Sequence, residues 1–244
     1  MMPQVANSDN CKCFVGATQR ALGTKLMGFG VLAWLLALGL GAAAKPPRVI
    51  MFLGDSITSG YGVERAQAYP ALIQDKIDAK GWNFKIVNAG QSGDTSAGGL
   101  NRMDWLLRSR IDVLVLELGG NDGLRGLPVE VTKKNLQSII DRTKARYPDA
   151  KVVLAGMKVP PNMGKTYSRP FEEMFARLAK RNKAAFIPFI LKGVGGVREL
   201  NLPDGIHPTA NGHRIVAANV WKVLEPLLSA LNSKASQNPS SAVP

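Results

Sequence analysis

The sequence predicts an α/β chain, a central five-stranded parallel sheet with helices on both faces, and three observations carry that prediction. Short continuous apolar runs recur along the chain, longer amphipathic helical patterns separate them, and polar glycine-rich segments follow several of the runs. Continuous apolar strands are buried on both faces, which is the condition of a parallel sheet covered by helices on either side.

Residues 48–53 (RVIMFL) are apolar, partly β-branched and closed by Gly54-Asp55, so they read as a buried strand with a loop at its C-terminal end. A helical pattern covers 69–80 and stops at Gly81. A second strand follows at 85–88 (KIVN), a helix at 100–110 and a third strand at 111–118 (IDVLVLEL). A helix is predicted at 128–147, stopping before Pro148, then a strand at 151–156 (KVVLAG) and a helix at 169–183. The fifth strand, 185–190, is weakened by Pro188, which has no N–H to give a sheet ladder. The last helix is expected over 209–231, with Ile215, Val216, Val220 and Leu224 on one stripe. Residues 232–244, rich in Ser, Asn and Pro, read as a disordered tail. In sheets of this kind ligands bind outside the carboxyl ends of the strands.

The chain has 244 residues, room for one catalytic domain over 45–231 behind a separate leader, 1–44. In the leader a polar stretch with Arg20 and Lys25 precedes an apolar run from Leu26 to Leu40 that ends in small residues. Ala42 to Ala44 form an A-x-A cleavage site, so the leader reads as a secretory signal, or, left uncut, as an N-terminal membrane anchor. Either way the domain is exported, periplasmic or secreted, with membrane association through the N-terminal segment in the uncut case. Both cysteines, Cys11 and Cys13, lie in the leader, which excludes cysteine catalysis and a disulfide framework for the rest. The whole chain carries a net charge of +13; removing Lys12, Arg20, Lys25 and Asp9 with the leader leaves +11. These basic residues are dispersed and form no run, which fits a solvated surface and no nucleic-acid partner.

Four polar segments hold the candidate chemistry: Gly54-Asp55-Ser56, Ser92-Gly93-Asp94-Thr95, Gly119-Gly120-Asn121-Asp122-Gly123, and Asp204-Gly205-Ile206-His207-Pro208. A serine hydroxyl is a weak nucleophile and needs an adjacent base, itself held in one tautomer by a third group. His207 precedes Pro208, which keeps it out of a helix, and Asp204 on the same loop is near enough to orient its ring. His213 falls inside the last helical pattern and reads as a solvated or capped helix histidine. Developing charge on a carbonyl oxygen needs fixed donors, and the Ser56 amide, the Gly93 amide and the Asn121 side chain suit that task. Each of these residues also has an ordinary reading: turn chemistry for Gly93, Asn121 and Asp204, loop packing for His207, helix capping for Asp55. Glu117, inside an apolar strand, reads as a satisfied structural carboxylate.

Taken together, in this order and spacing across residues 48–230, the four segments and Pro160-Pro161-Asn162-Met163-Gly164 resemble the GDSL lipases and esterases, the SGNH hydrolase superfamily. The resemblance is to its bacterial thioesterase I, lysophospholipase L1 and arylesterase branch. It implies a flavodoxin-like three-layer α/β/α fold, a Ser56/His207/Asp204 triad and an oxyanion hole of Ser56, Gly93 and Asn121. It also implies substrate-binding positions at Asp55, Asp122, Leu124, Pro161 and Asn162, a mobile loop over 122–127, and no metal or organic cofactor. The substrate implied is a small-molecule ester, thioester or lysophospholipid; acyl length and oligomeric state are not encoded in these motifs. Gly120 departs from the polar residue often found there, so the branch's substrate preference does not carry over. A carbohydrate O-deacetylase on the same fold and a non-catalytic binder of anionic surfaces are the alternatives.

Overall fold

The computed structural model describes residues 45–237. The leader, and the tail beyond residue 237, lie outside the described residues. Among those described, no helix is long and apolar enough to cross a membrane.

Five strands form one all-parallel sheet: β1 (Arg48–Gly54), β2 (Phe84–Gly90), β3 (Val113–Glu117), β4 (Lys151–Ala155) and β5 (Ala185–Ile187), in the order β2-β1-β3-β4-β5. The central strands β1 and β3 are the continuous apolar runs, and Ile50 to Leu53 and Val113 to Leu116 are buried. β2 lies at an edge, with Lys85 and Asn88 exposed. β5 ends at Ile187 instead of Ile190, because Pro188 cannot continue the ladder.

Helices cover both faces. On one face α2 (Tyr69–Ala79) packs beside the C-terminal helix α8 (Ala210–Gln237); on the other α3 (Ser96–Asn101), α6 (Val129–Arg146) and α7 (Lys165–Arg181) pack in sequence. The layers bury an apolar core that runs from Phe52 and Leu116 in the sheet to Phe171, Phe175, Leu224 and Leu228 in the helices. Strand order reverses between β1 and β3, since β1 leads outward to β2 while β3 leads on to β4. The crevice at their carboxyl ends is the switch point where such sheets bind ligands.

Several boundaries differ from the sequence prediction. The helix expected over 100–110 is two short helices, α3 and α4 (Met103–Leu106), and begins earlier because Thr95 caps it by accepting from the Gly98 amide at 3.2 Å. α7 begins at Lys165 and runs through Pro170. The tail expected from residue 232 is helical to Gln237: once the helix is nucleated on Leu224 and Leu228, each added residue extends an existing ladder.

His213 is not a solvated helix histidine. It is fully buried, and its Nδ1 accepts from the amide of Tyr69, 3.3 Å away on α2. Burial, then the nearby His207 charge, lowers its pKa from 6.5 to about 4. Between those values the unfolded histidine holds a proton that the folded one does not, so this residue costs stability as pH falls through that window. At 1.36 kcal/mol per unit the full effect approaches about 3 kcal/mol. Urea unfolding of wild type and His213→Gln at pH 7 and pH 4.5 should show wild type losing more stability by about 2 kcal/mol. Parallel losses would remove this role.

Candidate active site

The first segment leaves β1. Asp55 caps the short helix α1 (Ser56–Ser59), its Oδ1 accepting from the Ile57 amide at 3.0 Å, and the helix closes at Gly60 in the left-handed region (φ 79°). This sharp turn sets Ser56, 8% exposed, at the carboxyl end of the sheet. It is tied to β2 and the loop after it: Asn88 Nδ2 donates to the Thr58 carbonyl at 2.9 Å, and the Ser59 and Ser92 hydroxyls lie 3.0 Å apart.

The last of the four segments is the loop before α8. Asn201 and Pro208 pair antiparallel, and the Leu202 amide donates to the His207 carbonyl at 2.7 Å, so the loop is a closed turn held at its base. Asp204 Oδ1 accepts from the amides of Ile206 (2.8 Å) and His207 (3.0 Å), which leaves Oδ2 aimed at the ring. His207 Nδ1 lies 2.7 Å from Asp204 Oδ2, and His207 Nε2 lies 2.9 Å from Ser56 Oγ. The His207 amide, the His207 ring and the Ile206 amide together lower the Asp204 pKa to about 2. An ionised Asp204 requires the proton on Nδ1, which makes Nε2 an acceptor for the Ser56 hydroxyl.

The two middle segments, 92–95 and 119–123, meet beside this pair. Asn121 sits on α5 (Gly120–Leu124), directly after β3, and its Nδ2 donates to the Asp94 carbonyl at 2.8 Å and to Asp55 Oδ2 at 3.3 Å. One amide group thus bonds the neighbour of Gly93 and the neighbour of Ser56, which gathers the three sequence-predicted donors. Gly93 has φ 82°, and a Cβ there would meet nothing within 4 Å, so glycine is required for the backbone angle while its open face stays free. Asp94 is clamped by Arg102, through Nε at 2.9 Å and Nη2 at 2.6 Å, which fixes this loop.

Two expected substrate contacts turn inward. Asp122 is fully buried, accepting from the Ser96 amide (2.7 Å), the Ser96 hydroxyl (2.5 Å) and the Thr132 hydroxyl (3.1 Å); it joins α3, α5 and α6. Asp55, 2% exposed, holds the Ile57 amide and Asn121, and burial raises its pKa to about 6. Leu124 does face outward, 44% exposed, and Pro161 and Asn162 are exposed on a 3-10 turn after β4. Half of the loop expected over 122–127 is helical, and the rest is tied down: Arg125 Nη2 donates to the Gly93 carbonyl at 3.1 Å and the Tyr167 hydroxyl to the Leu127 carbonyl at 2.7 Å. Sequence reasoning also missed Tyr61, whose ring centroid lies 4.5 Å from that of His207. Its flanking glycines hinted only at a turn.

A flavodoxin-order parallel sheet with a hydrogen-bonded Ser–His–Asp chain at its switch point is the build of an SGNH-type hydrolase. The family model described as "GDSL-like Lipase/Acylhydrolase family" matches residues 52–215, and the chain belongs to that family. It is 41% identical over 199 residues to "Esterase TesA" of Pseudomonas aeruginosa, covering 81% of this chain and 98% of the relative. It is 36% identical over 197 residues to "Thioesterase 1/protease 1/lysophospholipase L1" of Escherichia coli K12, covering 80% and 91%. A crystal structure of TesA superposes with a TM-score of 0.71 at 40% identity, covering 74% of this chain and 99% of that one.

Two substitutions test the assembled geometry. Asp204→Asn removes the charge that fixes the His207 tautomer and should lower kcat by about 10³-fold or more in steady-state ester hydrolysis. Asn121→Ala should lower kcat by about 10²- to 10³-fold with little change in KM.

Proposed function

We propose that this protein is a serine hydrolase that cleaves carboxylic esters or thioesters through an acyl-enzyme on Ser56. The observation that carries the reading is the continuous hydrogen-bonded chain from Ser56 Oγ through His207 to Asp204, at 2.9 and 2.7 Å. The names of its relatives, an esterase and a thioesterase/lysophospholipase, agree with that chemistry.

Nε2 of His207 takes the Ser56 proton as Oγ attacks the acyl carbon, while Asp204, already ionised, stabilises the imidazolium. The oxyanion that forms is received by the amides of Ser56 and Gly93 and by Asn121 Nδ2, which must redirect one hydrogen from its long 3.3 Å contact with Asp55. The His207 imidazolium then protonates the leaving alcohol or thiol. Water activated by the same nitrogen attacks the acyl-enzyme, and the acid departs with Ser56 restored. Leu124, half exposed beside Asn121 on α5, faces the acyl chain in this reading, with Pro161 and Asn162 on the neighbouring rim. Substrates are small-molecule esters, thioesters or lysophospholipids met outside the cytoplasm, the side to which the leader would deliver the domain.

Ser56→Ala should leave a folded protein that turns over p-nitrophenyl acetate on the order of 10⁴-fold more slowly or worse, and that no longer takes up a fluorophosphonate. Appreciable turnover by that variant would refute the assignment. Wild-type activity confined to acetylated polysaccharide, with acyl esters and thioesters untouched, would instead identify a deacetylase.

A further inference from the structure

Glu117 is a buried titratable group to which the proposed reaction gives no task. Glu117, the last residue of β3, is fully buried and pairs in register with Gly54, the last residue of β1. Its Oε2 accepts from the Asp55 amide at 3.3 Å and from the Thr58 hydroxyl at 2.7 Å. Thr58 Oγ1 also lies 2.7 Å from the Tyr69 hydroxyl, so Tyr69 donates to Thr58 and Thr58 to Glu117. Asp55 and Thr58 bracket Ser56, one capping α1 and the other within it. A carboxyl that grips both from below sets where the turn puts Ser56 Oγ. The space for it depends on glycine: a Cβ on residue 54 would lie 2.5 Å from Glu117 Oε2 and 2.1 Å from Thr58 Oγ1.

We propose that Glu117 is a positioning residue for the nucleophile: acting beneath α1 through the hydrogen bonds it accepts and not through its charge, it fixes Asp55 and Thr58 and thereby holds Ser56 Oγ within reach of His207. This rests on Ser56 being the nucleophile. Burial first, then the Asp55 carboxyl, pushes the Glu117 pKa well above the usual range, against the opposing pull of the donors on Thr58 and Asp55. Its Oε1 has no hydrogen-bond partner among the described residues, so the grip on Asp55 and Thr58 runs through Oε2 alone. The same chain reaches the histidine loop's own helix from behind, because the Tyr69 amide donates to His213 Nδ1 at 3.3 Å. A second, buried polar path thus ties the Ser56 turn to the start of α8.

The test compares Glu117→Gln, which keeps an acceptor oxygen in the same volume without charge, with Glu117→Leu, which fills the volume without an acceptor. Both are assayed per site titrated to completion by a fluorophosphonate, so that a loss of folded protein does not register as a loss of kcat. The glutamine variant should keep kcat within about threefold, and the leucine variant should lose about 10- to 100-fold in kcat with KM nearly unchanged. Thr58→Val, which deletes the hydroxyl that Glu117 holds, should lose kcat in the same direction and supplies the test if the leucine variant does not fold. Wild-type kcat per titrated site in the leucine and valine variants would make Glu117 a packing residue only, and a glutamine variant as slow as the leucine one would show that the charge is needed; either overturns the proposal. Ser56→Ala, run alongside, must take up no fluorophosphonate; if it does, the nucleophile assignment fails first and separately.

Discussion

The 2.9 Å hydrogen bond between Ser56 Oγ and His207 Nε2 joins residues 151 apart in the chain, and much of the structure serves to keep that contact short. Neither side chain is held by its own sequence neighbours alone. Ser56 stands on a one-turn helix, too short to be stable by itself, that is anchored to β2 through Asn88 and to β3 through Glu117. His207 stands on a closed turn whose base is the Asn201–Pro208 pair and whose tip is the Asp204 carboxylate. The rigid sheet between them converts two local turns into one site, as positioning within a fraction of an ångström requires.

Five carboxyl groups crowd this end of the molecule, and their environments separate them. Asp204 has several donors and much access to solvent, and its pKa falls to about 2, so it is ionised at neutral pH. Asp94 is paired with Arg102. Asp122 is surrounded by one amide and two hydroxyls. Asp55 and Glu117, buried side by side, are both pushed upward, chiefly by desolvation. Divergent environments of this kind separate the roles of chemically identical groups. In the proposed reaction one carboxylate orients the base while the others stitch loops together.

Much of the fold was legible because β1, β3 and β4 are uninterrupted apolar runs, and only a two-sided burial produces them. The start of α3 was hidden by Gly98 and Gly99, residues that disfavour a helix. Gly99 is instead small because a Cβ would lie 2.2 Å from Leu118, a packing demand set by a residue far along the chain. At the site, the proximity of Asp204 to His207 was legible from their spacing on one loop, whereas their meeting with Ser56 was legible only through the resemblance of the four segments taken together. The inward turn of Asp122 was not legible, since it depends on Ser96 and Thr132, and neither lies beside it in sequence. The burial of His213 depends on Tyr69, 144 residues away, and the grip of Glu117 on α1 on Thr58, 59 residues away.

The most direct test of this arrangement is a crystal structure of the protein inactivated by a small phosphonate, which mimics the tetrahedral intermediate. The account predicts phosphorus bonded to Ser56 Oγ, with one phosphoryl oxygen about 3 Å from the Ser56 amide, the Gly93 amide and Asn121 Nδ2 together. Phosphorus on any other residue, or an oxygen directed away from all three donors, would contradict it.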